Sequence, residues 1–216
     1  MKKIITIDFD IIMAPSINLY NGLVPMQPWD QIMNDPHFQL LTPDYTHYQK
    51  IFTFIMRCVE EMDADHIHFI EDHGQAVKYI TEKCDLVNID HHHDITYAPP
   101  EVIKDEIKPT CANWVSYLQE EDLLNSYEWI NNSNSALIDE QVSPVAYRAY
   151  DLREYNLEAL DTPDELIICL SEPWVPPYIR PLFYTLMDYC NSHYHTHFDL
   201  LMGAYRPELG VVPLKS

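Results

Sequence analysis

The chain has 216 residues, 47% hydrophobic and 12% aromatic, which is enough apolar material for a single folded domain over 1–216 and argues against a disordered chain. A formal charge of -21, from 34 acidic against 13 basic residues, argues against binding to nucleic-acid phosphates, which relies on Lys and Arg to displace counterions, and favours a cationic substrate or partner. An acidic surface also serves solubility alone, so the charge is only a supporting observation.

Along the chain, Ile4-Ile5-Thr6-Ile7 reads as a buried strand that ends in Asp8-Phe9-Asp10, with both carboxylates on one side of an extended backbone. Residues 13–43 are rich in Pro, Asn, Gln and aromatics without periodicity, the signature of a long functional loop. Ile51, Phe52, Ile55, Met56 and Val59 recur at helical spacing within 46–61. His66 to Ile70 reads as a short strand delivering Glu71-Asp72-His73 to its end, followed by a helix over 75–83. Leu86-Val87 then leads into Asn88-Ile89-Asp90-His91-His92-His93-Asp94, a strand whose alternation would project Asp90, His92 and Asp94 together and turn His91 and His93 away.

Further on, the spacing predicts a helix over 110–120, a strand over 126–130 ending in the polar tip Asn131-Asn132-Ser133-Asn134, and a buried strand Leu166-Ile167-Ile168-Cys169-Leu170 ending in Ser171-Glu172-Pro173-Trp174. A helix over 179–190 follows, and the tail holds His193, His195 and His197, which read as surface groups. The βα alternation predicts a three-layer α/β/α fold on a mainly parallel sheet. The five cysteines are odd in number, widely spaced and free of Cys-x-x-Cys, so they read as reduced core thiols. Asp8 and Asp10 interrupt the N-terminal apolar run, and no stretch approaches the roughly 20 apolar residues of a membrane span, so a cytoplasmic protein without a membrane partner is expected.

In an open parallel sheet, strands bring their C-terminal ends to one crevice, where Asp8, Asp10, His73, Asp90, His92 and Asp94 would meet. Carboxylates and imidazoles without a thiolate suit Mn²⁺, Fe²⁺ or Zn²⁺, and the carboxylate excess favours Mn²⁺. Two such ions about 3.5 to 4 Å apart share a bridging water and lower its pKa toward neutrality. Four Asp and two His supply the bridging and terminal ligands of such a centre.

These residues resemble the arginase and ureohydrolase superfamily, and within it the small peptide arginase-like proteins. Its Asp-x-His-x-Asp motif is matched by Asp90, His92 and Asp94, its Asp-His by Asp72-His73, its Asp-x-Asp by Asp8 and Asp10, and its guanidinium-binding Glu before Pro by Glu172-Pro173. The resemblance implies one Mn²⁺ on His73, Asp90, Asp94 and Asp8, and a second on His92, Asp90, Asp8 and Asp10. It also implies Asp94 hydrogen-bonded to the attacking hydroxide, Glu172 holding the guanidinium of an arginine-containing peptide, and ornithine and urea as products.

Here Asp-x-Asp precedes Asp-x-His-x-Asp, the reverse of the arginase order, which implies a permuted topology. The shorter chain implies an open cleft that accepts peptidyl arginine. The proton-shuttling His of the family has no counterpart in Cys111-Ala112-Asn113-Trp114-Val115.

Three other readings compete. A phosphoesterase of the Asp-His-His class fits the motif order, but four Gly and 13 Lys plus Arg offer little to a phosphate. A metal-dependent deacetylase would need a donor that cannot be singled out among 15 Tyr. A non-catalytic metal-binding or interaction protein would seldom need so many carboxylates.

Overall fold

The computed structural model describes residues 1–13, 43–95, 101–103, 106–133, 135, 143–172 and 174–201. Seven strands form one sheet in the order β7-β6-β3-β1-β8-β2-β9, and every pairing within it is parallel. They are β1 (Lys2–Asp8), β2 (Ile67–Ile70), β3 (Cys84–Ile89), β6 (Leu124–Asn131), β7 (Arg148–Asp151), β8 (Glu165–Cys169) and β9 (Leu200–Leu201). A separate antiparallel hairpin pairs β4 (Glu101–Ile103) with β5 (Glu106–Lys108).

The strands are apolar on both faces, as a sheet covered twice requires. On one side Ile5 and Ile7 of β1 and Leu166 and Ile168 of β8 pack with α1 (Tyr45–Glu61) and α3 (Arg180–Tyr194) through Ile51, Phe54, Ile55, Phe183 and Leu186. On the other, Ile4, Ile167 and Cys169 pack with α2 (Trp114–Glu120) and with Ala76 and Ile80. The result is a three-layer α/β fold on a wholly parallel sheet.

Several elements differ from their sequence-based outlines. Where a helix over 75–83 is predicted, a 3-10 turn spans His73–Lys78. Its start is fixed by a capping box in which Asp72 accepts from Gly74 N at 2.8 Å while Gln75 Oε1 accepts from Asp72 N at 3.2 Å. Helix α2 begins at Trp114 rather than 110, because Asn113 Oδ1 accepts from Thr110 N and ties 110–113 into a turn. The 14–42 part of the predicted loop lies outside the described residues, as does Asn134 of the polar tip. Met13 and Pro43 pair in an antiparallel bridge.

The connection from β1 leads to α1 on one face, whereas that from β3 leads to α2 on the other. The crevice at the C-terminal ends of β1 and β3 is therefore a topological switch point, the usual position of a site in such sheets.

Candidate metal centre

Strand β1 ends at Asp8, and a 3-10 turn over Phe9–Ile12 follows in which Asp8 Oδ1 accepts from Asp10 N at 3.1 Å. Phe9, Ile11 and Ile12 sink into the core, which leaves Asp10 at the crevice. Strand β3 ends at Ile89, so 90–94 is not the extended strand that the alternation assumes. Bends take its place, closed by Asp94 in the left-handed region at φ 51°. Asp90, His92 and Asp94 still converge, but through turn geometry, with His92 N donating to Asp90 Oδ1 at 2.7 Å.

His73 arrives from the end of β2, two strands away from β1. Its Nδ1 lies 3.2 Å from Asp8 Oδ2, 3.0 Å from Asp90 Oδ2 and 3.0 Å from Asp94 Oδ2. His92 Nδ1 lies 2.8 Å from Asp10 Oδ2 and 3.8 Å from Asp90 Oδ1. Two groups that could hold an ion result, Asp8 with His73 and Asp90, and Asp10 with Asp90 and His92; Asp90 is common to both, with Oδ2 toward His73 and Oδ1 toward His92.

Separations of 3.0 to 3.2 Å around His73 are also those of neighbouring ligands on one ion. Neighbouring ligands about 2.1 Å from one ion stand roughly 3.0 Å apart in octahedral and about 3.4 Å apart in tetrahedral geometry. His73 is fully buried, yet neither ring nitrogen makes a well-aligned hydrogen bond, and Asp10 Oδ2 is in the same condition. Buried polar atoms are almost always satisfied, so an imidazole aimed at three carboxylate oxygens has the geometry of a ligand.

The electrostatics agree. Burial and the Asp8 charge push Asp10 up to about 8, and burial with the Asp94 and Asp8 charges pushes Asp90 up to about 7. Burial also raises Asp94. Burial opposes the charged form of His92, but the Asp10 charge outweighs it and holds the imidazole at about 10. His73 is likewise raised well above its usual range against burial by Asp8, Asp90 and Asp94, while Asp8 is lowered against burial by His73 and Ser171. Without a cation, the cluster must retain protons to offset its own charge.

A scaffold that the sequence reading did not find holds these ligands. Ser171 Oγ donates to Asp8 Oδ2 at 2.5 Å, and Trp114 Nε1 donates to Asp94 Oδ2 at 2.6 Å. Thr6 Oγ1 donates to Asn88 Oδ1 at 2.7 Å, and Asn88 Nδ2 donates to Asp90 Oδ2 at 3.2 Å, along the β1 to β3 register that sets Thr6 beside Asn88. Such partners orient carboxylates and tune ion affinity. Gly74 lets the His73 turn lie flat on the next segment, because a Cβ there would meet the Thr110 carbonyl carbon at 2.7 Å.

His91 and His93 are buried beside the ligands. Burial and the neighbouring His92 hold them near 3 and 4, hence neutral, with His91 Nδ1 3.2 Å from Asn132 Oδ1. His193, His195 and His197 are exposed. Glu172 follows Ser171, but its carboxylate pairs with the Arg180 guanidinium, whose Nη2 also donates to the Glu172 carbonyl at 2.7 Å.

A small cavity of about 40 Å³ opens onto the cluster, lined by Asp8, His92, Asp94, Cys111, Ala112, Ser171 and Trp174. Larger hollows of about 590 and 700 Å³ lie at the other end of the strands and beside α1, away from the Asp and His cluster.

No protein-family model, curated protein or solved structure matches this chain. No described helix is long and apolar enough to cross a membrane.

Proposed function

We propose that the chain is a binuclear Mn²⁺ hydrolase that converts arginine within a peptide to ornithine and releases urea. The observation that carries this reading is the sharing of Asp90, with Oδ2 3.0 Å from His73 and Oδ1 3.8 Å from His92, between two sets of buried oxygen and nitrogen ligands. Fe²⁺ and Zn²⁺ suit the same donors, and the carboxylate excess favours Mn²⁺. When bound, such a pair of ions would supply hydroxide near neutral pH.

The four motif-bearing strands β3, β1, β8 and β2 are consecutive neighbours, so reversing the chain order of two motifs does not prevent the side chains from meeting. This adjacency supports the resemblance to a permuted arginase-like protein. In the reaction, water adds to the guanidinium carbon, the bond from that carbon to the side-chain nitrogen breaks, and a protonated ornithine amine and urea leave. Asp94, held through Oδ2 by Trp114, lines the cavity and would accept a hydrogen bond from the attacking hydroxide. The net charge of -21 favours a cationic substrate over an anionic one. Among the described residues that line the cavity there is no Lys, Arg or Tyr of the kind that the phosphoesterase and deacetylase alternatives would use.

The test is mass spectrometry of arginine-containing peptides, with free arginine alongside, after incubation with Mn²⁺-loaded protein and with an EDTA control. The expected outcome is EDTA-sensitive conversion of peptidyl arginine to ornithine. A protein that holds two ions per chain and converts none of the peptides refutes the guanidinium reading.

A further inference from the structure

We infer that Trp174 is the specificity residue of this site, a stacking wall for a planar cation at the mouth of the cavity. The inference rests on the guanidinium reading above and adds the group that would distinguish guanidinium from other cations. Trp114 and Trp129 are wholly buried, whereas Trp174 is partly exposed and lines the same cavity as Asp8, His92 and Asp94. Its ring centroid stands 6.0 Å from that of His92.

The turn that presents it is strongly held. Ser171 adopts φ 51°, Trp174 N donates to the Ser171 carbonyl at 2.8 Å, and Val175 N donates to it at 3.0 Å. Arg180 closes the turn from α3, with Nε donating to the Val175 carbonyl at 3.0 Å, Nη2 to the Glu172 carbonyl at 2.7 Å and Nη1 to the Glu172 carboxylate. The same turn therefore fixes Ser171 on Asp8 and Trp174 beside His92.

Because Arg180 already neutralises Glu172, that carboxylate is not the free counter-charge that the family resemblance assigns to the substrate. An aromatic face gives a planar cation a contact that does not depend on that carboxylate. Guanidinium is planar and more weakly hydrated than ammonium, so it loses less on desolvation and stacks on an indole, which a compact ammonium does not.

The test titrates the full-length Mn²⁺-loaded chain with acetyl-arginine amide, acetyl-lysine amide and neutral, planar acetyl-citrulline amide, read as KM where a probe is turned over and as Kd where it is not. The arginine probe is expected to bind best, and Trp174→Leu to weaken it about tenfold with two ions retained, Trp174→Phe recovering part of the loss. The inference is overturned if wild-type protein does not saturate with the arginine probe, if Trp174→Leu leaves its affinity unchanged, if the lysine probe binds as tightly, or if Trp174→Leu loses the ions. Trp174-dependent binding without turnover would uphold the stacking wall and remove the hydrolytic reading, whereas turnover indifferent to Trp174 would do the reverse.

Discussion

At the N-terminal edge of the sheet, the buried Glu165 that begins β8 lies 3.0 Å from Lys2 Nζ, 3.1 Å from His66 Nδ1 and 2.7 Å from His68 Nε2. At the C-terminal edge, Asp8, Asp10, Asp90 and Asp94 are buried with two imidazoles and, among the described residues, no Lys or Arg within the ion-pair distances seen there. Both clusters set carboxylates against imidazoles at the ends of β1 and β2. They differ in compensation: one carboxylate among three nitrogen partners is an ordinary structural network, whereas four carboxylates around two imidazoles are left short of positive charge. Side-chain type alone therefore does not separate the two clusters; the balance of charge and the hydrogen-bond geometry do.

The largest expected effect comes from Asp90→Ala, which removes the ligand common to both groups. Both ions should be lost and hydrolysis should fall about a thousandfold or more, measured by elemental analysis and peptide turnover, with the far-UV circular dichroism of the wild type retained. Unchanged ion content would mean that the two edges do not differ as argued.

Glu165→Gln should act in the opposite way. It leaves ion content intact and lowers stability by about 1 to 3 kcal/mol in urea unfolding, because Lys2, His66 and His68 lose a charged acceptor. Loss of the ions in this variant would erase the distinction between the edges.

The smallest effect is in pH dependence, where the two edges should have opposite signs. Asp10 and Asp90 titrate at about 8 and about 7 in the folded, metal-free chain against a usual 3.8, so they retain protons that the unfolded chain releases as pH rises above about 4. The stability this confers is greatest in acid and declines up to those values. His92, raised from 6.5 to about 10, contributes stability below about 6.5 that is lost as pH rises through 10, the same direction. Glu165 is lowered from 4.5, against burial, by His68, Lys2 and His66, so its contribution is present above that value and lost as pH falls through its folded pKa. His91 and His93, held near 3 and 4, oppose this trend below about 6.5, so thermal melts of EDTA-treated protein should decline from about pH 6.5 toward 9, while stabilisation by Mn²⁺ grows over the same range because the ligands must be deprotonated. A metal-free melting temperature that rises steadily over that range would contradict the charge account.

Much of the frame was legible in the sequence. The apolar runs in β1, β3 and β8 read as buried strands because a sheet covered on both faces needs nearly continuous hydrophobicity, and the spacing of Ile51, Ile55 and Val59 gives α1. The short His73–Lys78 turn was read as a longer helix because periodicity does not report a capping box that closes after one or two turns. The acids and histidines at the strand ends were visible as well, since local order alone sets which residues follow a strand.

The sequence by itself thus determined β1, β2, β3, β6 and β8, the layers and the residues that could bind an ion, but not β7, β9 or the β4–β5 hairpin. Only the tertiary structure decided that Asp90 lies between His73 and His92, that Ser171 caps Asp8 from 163 positions away, and that Arg180 occupies Glu172. Those relations depend on strand order and on turns with positive φ at Asp94 and Ser171, and contacts between side chains far apart in the chain leave no periodicity to read.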